Sequence, residues 1–492
     1  MRRLRHRSDS SLQEVLNESA RLRPSETAIR SEGPSGSRTM DFHALSEWCA
    51  SLSSQFRTHA VGKGAVLVEA PSELTTPVVL LSVLFAGRTA LPVSPETTRA
   101  ELKQLVERIG ADAGVGRPSF LNRLPAEVGA RIDSSTVERK SGGSSPSLRD
   151  ELSEGGLLLQ SSGTGGPPKI VRRDASALLA VGQGVAKALS LGPGDGILLT
   201  IPLFHSYGLD LLLAALVSGC RLEVHDHFVP SRAVASLRSG EVTVWPAVPL
   251  MLDVVSRGKS LRPLSSALRR VVSAGSPLPI RVYEQFRASY GVRVGQIYGA
   301  SEFGTVACSD PAEDAFDPAS VGRPLPGVKL VVEPAGGEGE VLVAAPSMMT
   351  EYVGEPTPLG SGGLFRTGDL GRVDDAGCLT LTGRIKLMID IGGQKVNPLE
   401  VEQVLAEHPQ VREAVVLPIP WSDTADRHRA LIIPELGLLP DLEELRRFAR
   451  ARLSPHKVPR VFSIESEVPR SATGKISRRA LQERFNQKGK GS

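Results

Sequence analysis

The segment LLLQSSGTGGPPK, Leu157 to Lys169, runs an apolar strand pattern into two hydroxyls, three glycines, a threonine, two prolines and a lysine. Glycines let backbone N–H groups face an anion with no Cβ in the way, and hydroxyls add donors. The terminal lysine adds a point charge, so phosphate binding is the chemistry this composition suits. It is not a Walker loop, because no Ser or Thr follows Lys169. Composition alone also allows a flexible surface loop. His225-Asp226-His227 offers metal-ligating residue types, but with no third ligand at recognisable spacing it reads as a polar strand end.

The elements around this loop must hold it. From Leu45 to Leu199 apolar stretches alternate with Gly, Pro and Ser punctuation in a βα rhythm. AVLVEA predicts a strand and TPVVLLSVLFAG a buried helix. GILLTIP, SGCRLEVH, EVTVWPAVP, LRRVVSAG and VRVGQIYG predict further strands, which points to parallel sheets covered on both faces. After Val321 the texture changes: VKLVVEPAGGEGEVLVAAP predicts an antiparallel hairpin and DDAGCLTLTGR a turn and strand. From Lys386 onward a compact α+β pattern predicts a separate small domain. Its first helix should start at Asn397 as cap, with Pro398 in the first turn and Glu400 completing a capping box. Residues 138 to 150, rich in Ser and Gly, predict a loop.

The fold class expected is therefore α/β. A large N-terminal domain of layered sheets and helices, residues 1–385, precedes a small mobile α+β domain, residues 386–492. At 492 residues several packed cores fit. Hydrophobic residues at 40% and charged residues at 23% exclude a largely disordered chain and a transporter. A net charge of +4, with no basic stripe interleaved with aromatics, gives no case for nucleic-acid binding. The basic start MRRLRHR is followed by Ser8, Asp9 and Ser10 where a signal peptide needs an apolar core, and the longest apolar run is about half a membrane span. No stable membrane insertion is expected. Four scattered cysteines without a CxxC pair suggest a reducing cytoplasm.

Eight segments in order carry a resemblance: the phosphate loop, PLFHSYG, SAGSPLP, QIYGASE, RTGDL, GRIK, GGQKVNPLEVE and PRSATGKISRR. Together they resemble the adenylate-forming superfamily of acyl- and aryl-CoA synthetases, luciferases and peptide-synthetase adenylation domains. The resemblance runs from about residue 25 to 485. It implies an AMP-forming acid–thiol ligase: ATP and a carboxylic acid, fatty or aryl, give an acyl-adenylate, and the thiol of CoA or of a carrier-protein phosphopantetheine then displaces AMP. It also implies that Ser161, Ser162, Gly163, Thr164, Gly165, Gly166 and Lys169 hold the β- and γ-phosphates. Glu302 would hold Mg²⁺, Ser301 would contact the α-phosphate, and Lys475 would bridge the acid and the α-phosphate as the main electrostatic stabiliser. Tyr298 would stack on adenine opposite the backbone of Ala274, Gly275 and Ser276, with Gly299 nearby. Asp369 would accept the ribose hydroxyls, Arg384 would add a contact to ribose or phosphate, and His205 would stand at the mouth of the acid pocket. Gly393, in the GGQK loop, would leave room for a pantetheine arm after a swing about Lys386.

One departure concerns nucleotide affinity. Gly165 stands where the family has a Thr and Ile170 where it has a Gly, so a phosphate donor is lost, at about 1 kcal/mol or somewhat more. Weakened ATP binding follows, rather than inactivity. Amino-acid-activating relatives use an Asp to pair the substrate amine; Asp210 lies near His205 but is unconvincing in that role, which favours a simple acid. Two alternatives stay open: an adenylation domain for an amino or aryl acid in an assembly line, and a degenerate nucleotide-binding homologue.

Overall fold

The computed structural model describes residues 11–33, 36–59, 64–134, 155–161, 169–258, 263–356, 363–391, 394–422, 425–471 and 474–488. The chain is α/β, as expected. The predicted loop over residues 138–150 lies outside the described residues, as do Ser162 to Gly166 of the phosphate loop and Gly393 of the GGQK loop.

Two large sheets carry the N-terminal part. One has nine strands and includes Gly196–Leu199, Arg221–His225, Val244–Ala247, Arg270–Ser273 and Val294–Ala300 as parallel neighbours. The other has seven, with Val66–Glu69 between Ala90–Val93 and Ala113–Gly116, again parallel. Their strands are near-continuous apolar runs because both faces are covered. The Thr75–Phe85 helix is buried all round, and Ser206–Ser218 nearly so, before it stops at left-handed Gly219. A third, four-stranded antiparallel sheet holds the expected hairpin, Lys329–Glu333 with Gly339–Ala344, and also Phe365–Val373 and Leu379–Arg384.

The sheets are not parallel throughout. Leu157–Ser161 pairs antiparallel with Lys169–Arg173, the register closing at Ser161 opposite Lys169. The phosphate loop therefore links two strands of a hairpin instead of leading from strand to helix. The short strand Glu351–Tyr352 adds to the same edge, also antiparallel.

From Ile389 on, apolar side chains gather in clusters of their own, one around Val396, Val401, Leu405, Val416 and Ile432. The Pro398–Ala406 helix starts as predicted, Asn397 accepting from the Leu399 N–H. Glu400 does not reach back to complete a capping box; its carboxylate takes the Lys457 ammonium at 2.6 and 2.8 Å, a charged partner stronger than a backbone amide. Among the described residues no helix is long and apolar enough to cross a membrane.

Candidate active site

Asp369, on the Phe365–Val373 strand, is 5% exposed, and three donors converge on it. The Tyr298 hydroxyl donates to Oδ2 at 2.7 Å, and Arg384 donates through Nε to Oδ1 and through Nη2 to Oδ2 at 3.4 Å. Burial works against the Arg384 charge, yet the facing Asp369 carboxylate raises its pKa above the ordinary value. Burial, followed by the same carboxylate, pushes the Tyr298 phenol well up. The Tyr298 ring lies 5.6 Å from that of Phe303.

Glu302 sits in the turn after the Val294–Ala300 strand, which is pinched where it leaves the sheet. A Cβ on Gly299 would come 2.6 Å from the Gly304 carbonyl oxygen, so only glycine fits. The Tyr352 hydroxyl donates to Glu302 Oε1 at 3.0 Å. Among the described residues no three His, Cys, Asp or Glu side chains cluster as metal ligands. A cation at Glu302 would take its other ligands from water and substrate phosphates, the coordination Mg²⁺ favours. A single hard carboxylate fits that ion.

Lys475 comes from the C-terminal part yet lies in the field of these groups. Burial lowers its pKa first and the Arg384 charge second, while Asp369 and Glu302 pull the other way. Its loop is tied by Ser471 N–H to Lys475 O at 2.8 Å and turns on left-handed Gly474. A Cβ on Gly474 would meet Leu250 at 2.9 Å, so the loop rests directly on the large domain. Arg257 and Arg281 also reach across, both to Glu435.

His205 caps the Ser206–Ser218 helix without a side-chain bond, its ring 4.5 Å from Phe204. Burial pushes its pKa down to about 4, and its Nε2 is buried without a partner among the described residues. Ala274 follows the Arg270–Ser273 strand, its N–H bonded to Ala247 O at 3.1 Å, and left-handed Gly275 turns the chain toward half-buried Ser276. Ser301 is half-buried beside Glu302. Ser161 is buried at the end of its strand. Lys169 does not stand free over the site: its ammonium pairs with Glu355 at 3.0 Å and lies 4.4 Å from the Tyr352 ring centroid.

Sequence reasoning missed the groups beneath this surface. Arg173, fully buried, donates to Ser206 Oγ and Asp210 Oδ1, both at 3.0 Å. The other Asp210 oxygen accepts from the Thr305 N–H and hydroxyl, also at 3.0 Å. This ion pair ties the strand after the phosphate loop to the helix of His205 and to the strand after Glu302. The only signal was an Asp inside an otherwise apolar helix. His225 is likewise no ligand; it meets Glu223 at 3.3 Å and Ser236 at 3.2 Å.

The 2-succinylbenzoate–CoA ligase of Geobacillus kaustophilus is 29% identical over 489 residues, 95% of this chain and 96% of its own. A probable CoA ligase of Humulus lupulus is 32% identical over 375 residues, but the match spans only 61% of that protein's length. The Bacillus subtilis o-succinylbenzoate CoA synthetase, solved with its acyl-adenylate, superposes with a TM-score of 0.82 at 25% identity, covering 95% of this chain and 97% of that one. The AMP-binding enzyme family matches residues 16–353 and its C-terminal domain residues 400–475. A buried Asp–Arg–Tyr net, a carboxylate turn and a lysine brought from the C-terminal part thus stand on a chain that belongs to the AMP-binding enzyme family.

Proposed function

We propose that this protein joins a carboxylic acid to a thiol, driven by ATP. In the first half-reaction an acid oxygen bonds the α-phosphorus and the bond to the β-phosphate bridge breaks, releasing pyrophosphate. In the second a thiol sulfur attacks the acyl carbon, the bond to AMP breaks, and the thiol proton passes to solvent. The thiol belongs to CoA or to a carrier-protein phosphopantetheine. A relative supports each acceptor: the Geobacillus kaustophilus ligase, and a Streptomyces coeruleorubidus fatty acid–[acyl-carrier-protein] ligase 32% identical over 347 residues.

The observation that carries the reading is the buried Asp369 carboxylate held by Tyr298 and Arg384, with the Lys475 loop seated on the large domain at Gly474 against Leu250. An ammonium there offsets the repulsion between acid and triphosphate where charge develops. Asp369 accepts the ribose hydroxyls and Arg384 holds that carboxylate in place. Tyr298 lines the adenine site with the backbone of Ala274, Gly275 and Ser276, beside Gly299. Ser161 and Lys169 flank a loop, Ser162 to Gly166, that takes the outer phosphates. Glu302 with Mg²⁺ neutralises phosphate charge, and Ser301 contacts the α-phosphate. His205, neutral at pH 7, faces the acid as an uncharged donor or acceptor. Asp210 is 2% exposed and holds Arg173 and Thr305 as a buried structural ion pair, which supports a simple acid over an amino acid.

On this reading the domain boundary and hinge fall at Lys386, about which the small domain would swing so that the GGQK loop takes over from Lys475 for thiol transfer. All four cysteines are free thiols, which supports a reducing cytoplasm. The test is pyrophosphate release with a panel from acetate through long-chain acids to benzoates and amino acids, then thioester formation with CoA and with loaded carrier protein. Tight ATP binding with no release for any acid would overturn the proposal.

A further inference from the structure

Residues 347–355 form a strap between two halves of the phosphate site. At one end the Ser347 hydroxyl donates to Phe303 O at 2.7 Å and the Met349 N–H to Glu302 O at 2.7 Å. At the other the Val353 N–H donates to Ile170 O at 2.8 Å, and Glu351–Tyr352 pairs with the strand that begins at Lys169. Its side chains repeat the link: Tyr352 is 5% exposed, gives its hydroxyl to Glu302 and lays its ring under the Lys169 ammonium. Glu355 holds that ammonium directly and is itself held by Arg108 at 2.9 Å.

We infer that the strap sets nucleotide affinity, with Tyr352 as the positioning residue for Glu302 and Glu355 as a resting partner that Lys169 must leave to meet phosphate. This rests on the roles given above to Glu302 and Lys169. A carboxylate with one oxygen tied to a buried phenol offers the other in a fixed direction, so a cation finds its ligand already oriented. The lysine is a point charge on a flexible stem, and a triphosphate attracts it more strongly than one half-exposed carboxylate does. Arg108 eases the exchange, because Glu355 keeps a cation when Lys169 departs.

The experiment is equilibrium binding of ATP and AMP to the full chain, with Mg²⁺ and with chelator. Tyr352→Phe should weaken ATP about threefold to tenfold in Mg²⁺ and leave the chelator value unchanged. Glu355→Gln should tighten ATP about threefold and Arg108→Gln should weaken it by a similar factor, with AMP unmoved in both, as expected for half-exposed ion pairs. Equal Tyr352→Phe losses with and without Mg²⁺, no loss at all, or shifts of one sign at Glu355 and Arg108 would overturn the strap. Lys169→Ala and Glu302→Gln test the underlying roles separately. If Lys169→Ala left ATP affinity intact, or Glu302→Gln its Mg²⁺ dependence, the assigned roles would fail and the strap with them. If both behave as assigned while the strap variants do not, the strap alone fails.

Discussion

At Asp369 three donors converge on one buried carboxylate, while at Lys169 a side chain 39% exposed shares Glu355 with Arg108. The first is a closed network of hydrogen bonds on a buried carboxylate. The second is a set of exchangeable partners. Under the proposed roles, ribose is common to ATP, the adenylate and AMP, so an anchor at Asp369 could stay fixed through the whole cycle. Under the same roles the outer phosphates are released midway, and a Lys169 that returns to Glu355 would let them go. The proposed roles would thus put the closed network where the ligand persists and the exchangeable pair where it leaves.

Lys475 belongs to neither group, and removing it gives the largest effect. Lys475→Ala should lower adenylate formation by about 10³-fold, the range for a lost transition-state donor, while thioester formation from supplied adenylate survives. Equal loss of both would show that Lys475 is a fixed part of the site like Asp369. Lys386→Pro should cut thioester formation about a hundredfold with adenylation largely intact, since fixing φ restricts the hinge; single-turnover assays of each half would show parallel losses if Lys386 is only a surface residue.

Asp369→Asn probes the rigid corner itself. ATP and AMP should both weaken about tenfold to a hundredfold, and stability should fall by about 3 kcal/mol because Arg384 loses its carboxylate. AMP affinity unchanged by titration calorimetry would detach ribose from this residue. The smallest effect concerns His205, whose folded pKa of about 4 lies below its ordinary 6.5. Protonation costs the folded state as pH falls below about 6.5, and the whole cost, at most about 3 kcal/mol, is borne below about 4. His205→Gln should therefore lose less stability than the parent between pH 7 and 4.5. Parallel denaturation curves would mean the imidazole is solvated.

Glu302 in QIYGASE, Asp369 in RTGDL and Lys475 in SATGK are singled out by the family resemblance, which eight motifs in order carry and no single stretch carries alone. The Pro398–Ala406 helix was legible from Asn397 and Pro398. What joins the motifs was not. Glu400 matched a capping box, but Lys457, 57 residues on, took its charge. Arg173 looks like a surface residue in KIVRR until Asp210 meets it from a helix 37 residues away. Tyr352 and Glu355 lie in EYVGEP, an ordinary loop by local pattern, and gain meaning only when the chain returns to the sheet edge beside Lys169. Local sequence encodes caps and turns; partners for buried charge are decided by topology.

The contact between Gly474 and Leu250 carries one more consequence. An acyl-adenylate is a mixed anhydride, and water would destroy it wherever the cleft stands open. At φ +76°, a side chain at position 474 would strain the backbone and press on Leu250, 2.9 Å from where a Cβ would sit, so glycine lets the lysine loop seat against the large domain. Shortening Leu250 would leave a gap there, and widening Gly474 would prop the loop away. Under the proposed reaction, the fit of these two residues 224 positions apart would govern how well the closed cleft shields the intermediate from water.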